Sequence, residues 1–367
     1  MPTVSNISDF LDRFTPPELA AEWDNVGLLF GDGAVEVHRL LTCLTVTPAV
    51  VSEAVEEHAD LIVTHHPILF RGTKRLSTGT PEGRLLWPLA RAGISVYSPH
   101  TAFDNTVGGI NDLLANRLSL ADVAPLRRRD GVRMCKVVVF VPDADLGKVS
   151  DAMFAAGAGV IGQYDQCSFR IAGTGTFFGT ESSNPTVGAK GRREDVSEWR
   201  LEVVCPEAVL ASAISAMRRA HSYEEPAFDV YPLKPLPSGS GEGRVGMLTA
   251  PTTLRELAQT AKRELQAGAV QTVGDLNRPI RRVAIACGAA GEYLADAVRA
   301  KADVFLTGEM RFHELLRAEI EGIALLLPGH YATERPGIED LAVRLQKEFP
   351  AITVWPSHRE TDPVRLS

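Results

Sequence analysis

No C-x-x-C pair occurs among the five cysteines (Cys43, Cys135, Cys167, Cys205, Cys287). Their odd number and wide scatter argue against zinc-finger ligation and a disulfide framework, and suit buried thiols in a reducing cytoplasm. No run of about 18 apolar residues is present, so no membrane helix is expected. The opening MPTVSNISDFLDRF lacks the basic and apolar regions of a signal peptide. Positive charge is not in excess either. The net charge is −8, whereas a duplex nucleic-acid binder needs a basic face. The short runs Arg127-Arg128-Arg129 and Arg281-Arg282 carry no interleaved aromatics and read as solvated loop ends. P-loop and nucleophile-elbow patterns are missing. Two G-x-G-x-x-G matches, at Gly157-Gly159-Gly162 and Gly241-Gly243-Gly246, lack the strand-then-helix context of a dinucleotide site.

What is present is an ordinary globular composition, 45% hydrophobic and 23% charged over 367 residues, long enough for two or three domains. Ile7, Phe10, Leu11 and Phe14 line one face of an opening helix. Leu40 to Val46, Leu61 to Thr64 and Ile94 to Tyr97 read as buried strands, with a helix over Ser52 to His58. This order predicts a parallel or mixed α/β sheet. The C-terminal third repeats the design. AVEEHADLIVTHH (54–66) parallels AVRAKADVFLTGE (297–309), and GISVYSPHTAFD (93–104) parallels GIALLLPGHYATE (322–334). Two homologous α/β halves are inferred, forming one metal-binding domain.

Between them the pattern changes. Strands over Val137–Val141 and Trp199–Cys205, hairpin material over Ser168–Phe178 and a strand over Phe228–Leu233 alternate with helices over Leu146–Ala156 and Glu207–Ala220. That βαββαβ order is ferredoxin-like. The stretch PLKPLPSGSGEG (232–243) reads as a closing linker. The expected division is 1–130 and 239–367 for the two halves and 131–238 for an inserted domain.

Ligands of open α/β sheets gather beyond the carboxyl ends of strands. His65 and His66 follow one predicted strand, His100 and Asp104 the next, and His330 and Glu334 a third. In each half a histidine stands four residues before a carboxylate. Imidazole with carboxylate suits zinc, iron, manganese, nickel or cobalt. These are more ligands than one tetrahedral ion needs, so two divalent ions are expected, with Asp104 or Glu334 as a possible bridge. Glu309 occupies the repeat position of His66, where it either approaches the site or acts as a helix N-terminal charge. His38, His58, His221, His313 and His358 default to surface or core roles. His221, Tyr223, Glu224 and Glu225 read as a solvated helix end within the insert.

The stretches EWDNVGLLFGD (22–32), THHPILF (64–70), PHTAFDN (99–105), GRVG (243–246), TGE (307–309) and GHYATE (329–334) resemble the NIF-three-like dinuclear metal centre family, whose members often carry the name GTP cyclohydrolase I type 2 homologue. The resemblance implies five metal ligands, His65, His66, Asp104, His330 and Glu334, with His100 as a further histidine beside the metals. It also implies a CutA- and PII-like insert and a homohexamer with inward-facing sites. The expectation is a metal-dependent hydrolase for a nucleotide-like or other anionic small molecule, with water activated at the metals and His100 either acting as general base or orienting the water. The alternative is a non-catalytic protein that binds metal or an effector. Neither nucleic acid nor membrane is an expected partner.

Overall fold

The structure, a computed structural model, describes residues 1–73, 75–130, 133–162, 164–234 and 237–365. The chain forms two compact units. One joins Met1–Arg129 to Gly239–Ser367; the other is Asp130–Ser238.

The first unit holds two sheets. One has the spatial order Gly27–Phe30, Ser95–Ser98, Leu61–Thr64, Arg39–Cys43, Thr353–Pro356. Its last four strands run parallel, and Gly27–Phe30 pairs antiparallel with Ser95–Ser98. The other has the order Gln271–Val273, Ala324–Leu327, Val304–Thr307, Pro279–Ala286, Pro237–Thr253, Leu120–Asp130. Here Pro279–Ala286, Val304–Thr307 and Ala324–Leu327 are parallel, and Gln271–Val273 lies antiparallel at their edge. Strands such as LIVT, VFLT and ALLL are buried at every position. An uninterrupted apolar run is what a parallel strand covered on both faces requires. One core is shared by the two sheets: Leu40, Leu61 and Val63 pack with Val283, Val304 and Leu306, and with Ile338, Leu341 and Leu345 of the helix His330–Glu348. Among the described residues no helix is long and apolar enough to cross a membrane.

The second unit runs strand Met134–Val141, helix Leu146–Ala155, strands Phe169–Phe178 and Arg193–Pro206, helix Leu210–Ala220 and strand Phe228–Pro232. Its sheet order is Phe169–Phe178, Arg193–Pro206, Met134–Val141, Phe228–Pro232, with every pairing antiparallel. Val137, Val139, Leu201 and Val203 meet Val149, Met153, Ala213 and Met217 of the two helices in a separate core.

Several expectations are corrected. The helix expected over Ser52 to His58 is Pro48–Glu56, set by Thr47, whose hydroxyl accepts from the Val50 amide, and by Pro48 at the first turn. The expected linker 232–243 includes 235 and 236, which lie outside the described residues, as do 131 and 132 at the other domain edge. From Pro237 onward it is strand, lying between Pro279–Ala286 and Leu120–Asp130 in the sheet, so pairing with its neighbours overrides the weak strand preference of glycine and proline. The arginines at 127–129 belong to a strand, not to solvated loop ends. Arg127 pairs with Glu242 at 3.0 Å and Asp296 at 2.6 Å, and Arg129 with Glu242 at 2.8 Å. Glu242 and Asp296 are buried, and a buried carboxylate needs such a partner.

Candidate metal centre

All the predicted residues converge within the first unit, beyond the carboxyl ends of the parallel strands. His65 and His66 follow Leu61–Thr64. His100 opens the helix His100–Asn105 after Ser95–Ser98, and His330 opens His330–Glu348 after Ala324–Leu327. Residues four apart share a helix face, so Asp104 and Glu334 point the same way as the histidines that open their helices. Gly329, at φ 105°, turns the chain into the second helix. His100 itself has φ 30°, an uncommon conformation for a residue with a side chain.

Glu334 is at the centre. Its Oε2 lies 3.0 Å from His66 Nε2 and 3.0 Å from His330 Nε2. Its Oε1 lies 3.8 Å from His65 Nε2, which is 3.6 Å from Asp104 Oδ1. Two ligands about 2.0 to 2.1 Å from one tetrahedral ion lie roughly 3.3 Å apart, and the observed separations bracket that value. The His65–His100 and His66–His100 ring centroids are 5.1 and 5.7 Å apart. Two triplets among the described residues bring their ligand atoms within 4.8 Å of one another: His65, His66 and His100, and His66, His330 and Glu334. Either could hold a metal ion.

The donor set fits a cation for a second reason. His65 is fully buried, yet neither of its ring nitrogens has a hydrogen-bond partner. The Nε2 of His330 is also buried and makes no hydrogen bond despite its closeness to Glu334. Buried polar atoms are costly when unpaired, and a bound cation would satisfy the Nε2 atoms of His65 and His330, which face Asp104 and Glu334. Electrostatics keep a negative charge at the centre. Burial works against the Glu334 carboxylate, but His65, His330 and His66 hold it well below the usual range. Burial lowers the His330 pKa, and Glu334 and Glu309 more than reverse this, raising it to about 9. Burial raises that of Asp104 and lowers that of His66.

Around these residues stands a set of supports. Glu309 accepts from His330 Nδ1 at 2.9 Å, so it approaches the site rather than serving only its own helix. Thr45 holds His66 Nδ1 at 2.7 Å. Both contacts leave Nε2 facing the cluster, the usual task of groups that orient metal-binding histidines. Asp24 accepts from His100 Nδ1 at 2.6 Å and from the Thr101 amide at 3.1 Å. Cys287 donates its thiol to Asp104 Oδ1 at 3.1 Å, and burial pushes that thiol far up. Gly288 is required: a Cβ there would sit 2.2 Å from Glu334 Oε1.

Sequence reasoning gave no role to Asp24, Thr45 or Cys287. Asp24 lies in the quoted EWDN stretch, a signal that was available. Cys287 matches Cys43 of the first half, but nothing in the pattern distinguishes its surroundings. His221 is core: it is buried, with Nε2 3.0 Å from the Phe140 carbonyl. Two cavities border the cluster, both lined by His66 and His330. One of about 990 Å³ runs past Glu309 and Arg335. The other, about 380 Å³, is lined also by His100, Asp104, Trp23 and Phe70.

Comparison with known proteins agrees along the whole chain. The family model described as Duf34/NIF3 (NGG1p interacting factor 3) matches residues 2–363. A relative in Halalkalibacterium halodurans named GTP cyclohydrolase 1 type 2 homolog is 37% identical over 360 residues, covering 97% of each chain. One of the same name in Mycobacterium tuberculosis is 38% identical over 354 residues, covering 95% of this chain and 92% of that one. The crystal structure of a Bacillus cereus protein related to NIF3 superposes with a TM-score of 0.79 at 34% identity, covering 100% of this chain and 99% of its own.

Proposed function

The chain belongs to the Duf34/NIF3 family, and from that premise we propose that it is a dinuclear metal protein and a metal-dependent hydrolase of anionic small molecules, nucleotides among them. One observation carries the two-ion reading. The two oxygens of Glu334 face different partners: Oε1 faces His65, beside Asp104, and Oε2 faces His66 and His330. A carboxylate so placed would join two ions, His65 and Asp104 being the residues that would hold one and His66 and His330 those that would hold the other. Zinc, iron, manganese, nickel and cobalt all accept this donor set.

Divalent ions here would lower the pKa of water toward neutrality and attract an anionic oxygen. The chain's own residues do the rest. Asp24 is ionised and can only accept, so His100 Nδ1 carries the proton and Nε2 is left as the basic nitrogen. His100 therefore takes a proton from the attacking water, positioned by Asp24. Glu309 and Thr45 keep the rings of His330 and His66 turned inward.

Elemental analysis of the purified protein tests the reading. About two metal equivalents per chain, falling in Glu334→Ala, is the expected result. Less than half an equivalent after expression in metal-rich medium, unchanged in the variant, overturns it. Turnover of GTP and other phosphorylated nucleosides by the loaded protein then separates a hydrolase from a metal-binding protein without catalysis.

Three structural readings accompany this. The matching strand orders of the two sheets support a duplicated α/β unit. The antiparallel order of Asp130–Ser238 supports a ferredoxin-like insert. The five free cysteines fit a cytoplasmic protein. A homohexamer is expected from family resemblance, and sedimentation velocity measures it.

A further inference from the structure

Two large aromatic side chains stand open to solvent beside the cluster. Trp23 is 58% exposed and Phe70 is 45% exposed. Their ring centroids are 5.7 Å apart, and each lies near His100, Trp23 at 6.0 Å and Phe70 at 6.4 Å. Both line the 380 Å³ cavity that reaches His66, Asp104 and Glu334, and Tyr293 lines it too. That volume is in the range of small-molecule sites.

The pair is held, not loose. Ala21 donates its amide to Thr101 Oγ1 at 2.9 Å, Asp24 is tied to His100 and Thr101, and Asn25 Nδ2 donates to the Leu69 carbonyl at 2.5 Å. The segment carrying Trp23 is thus fastened on one side to the helix that presents His100 and Asp104. On the other it is fastened to the loop that presents Phe70. Exposed aromatic surface held rigid at the mouth of a cavity is ready for a flat partner, with little ordering cost on binding.

We propose that Trp23 offers a stacking face, with Phe70 inclined to it at 57° as a side wall, that selects, among anionic small molecules, those bearing a planar heteroaromatic ring. The ring lies against Trp23, and the anionic part of the same molecule reaches the metal cluster. This rests on the proposed function and narrows it. Trp23 is a specificity-determining residue. In the EWDN stretch, Trp23 receives the ring, Asp24 sets the base, and Asn25 fixes the position of Phe70.

The test uses the full chain with its metal content measured. Its affinities for the four ribonucleoside triphosphates are compared with that for inorganic triphosphate, by calorimetry and by quenching of tryptophan fluorescence. At least one nucleotide should bind tenfold or more tighter than triphosphate, about what one base–aromatic stack contributes. Trp23→Leu should abolish that preference while leaving triphosphate affinity and metal content unchanged, and Trp23→Phe should keep most of it. The inference is overturned if no nucleotide binds, if none binds tighter than triphosphate, or if Trp23→Leu leaves nucleotide binding alone or weakens nucleotide and triphosphate equally. A shift of oligomeric state in Trp23→Leu with unchanged nucleotide affinity assigns the stacking face to contact between copies, and also overturns it. Normal metal content and triphosphate binding without a ring preference would leave the proposed function standing. Absence of metal would remove that function itself.

Discussion

His100 and His330 each open a helix, and each is oriented through Nδ1 by a carboxylate from elsewhere, Asp24 in one case and Glu309 in the other. The two carboxylates should fail differently. Glu309→Gln loosens a ring that faces the cluster, and metal affinity measured by competition with a chelating dye should fall about 10- to 100-fold. Asp24→Asn should leave metal content alone but lower turnover, because the proton on His100 is no longer fixed. It should also change acid stability. Burial alone would raise the Asp24 pKa, but hydrogen bonds from His100 and Thr101 and the nearby imidazole bring it from 3.8 to about 2. A depressed folded pKa stabilises above the unfolded value and is lost as pH falls through the folded one. Denaturant titrations should therefore find Asp24→Asn less stable than the native chain by roughly 2 kcal/mol at pH 7. The gap should close between about pH 4 and pH 2. A constant gap across that range would contradict this account.

At the scale of elements, the strand Thr353–Pro356 is held by more than its parallel pairing to Arg39–Cys43. Glu53, buried in the helix Pro48–Glu56, accepts from Trp355 Nε1 at 3.2 Å, Ser357 Oγ at 2.5 Å and the amides of His358 and Arg359 at 2.9 and 3.1 Å. Burial opposes its charge, yet these donors lower its pKa. Glu53→Ala strands four donors and should cost about 3 kcal/mol in equilibrium unfolding, with the earliest loss of hydrogen-exchange protection at 353–360. Sequence reasoning missed this strand, and it missed Gly27–Phe30 and Leu120–Asp130. Each is an edge strand in its sheet, and Gly27–Phe30 and Thr353–Pro356 are only four residues long, too short for a periodicity to show. The inner strands Arg39–Cys43, Leu61–Thr64, Val304–Thr307 and Ala324–Leu327 were legible because burial on both faces forces the run that betrays them, whereas the inner strand Pro237–Thr253 begins in glycine and serine and read as a linker. The clustering of the candidate site residues was legible for a related reason: they follow parallel strands whose apolar runs mark them. Their supports were not, since Asp24 and Thr45 reach the cluster from loops whose course only the fold determines.

For the whole molecule, the segment Asp130–Ser238 leaves at the end of one strand and returns at the start of its neighbour, since Leu120–Asp130 and Pro237–Thr253 are adjacent in the sheet. Replacing 131–238 by a short glycine-serine loop should therefore yield a folded protein that keeps its full metal content. Loss of cooperative melting in that variant would show that the segment contributes to the stability of the rest.

The position of Glu334 has a consequence for biosynthesis. His65, His66 and Asp104 emerge from the ribosome early, and the residue that stands between them and His330 comes near the end of 367. A chain halted at Ser238 has the three early groups but not Glu334 to join them. On the proposed reading, capture of both ions would wait until Glu334 has been made, and nascent chains that stop short of it should be apoproteins, vulnerable to whatever cation a pair of unguarded imidazoles meets first.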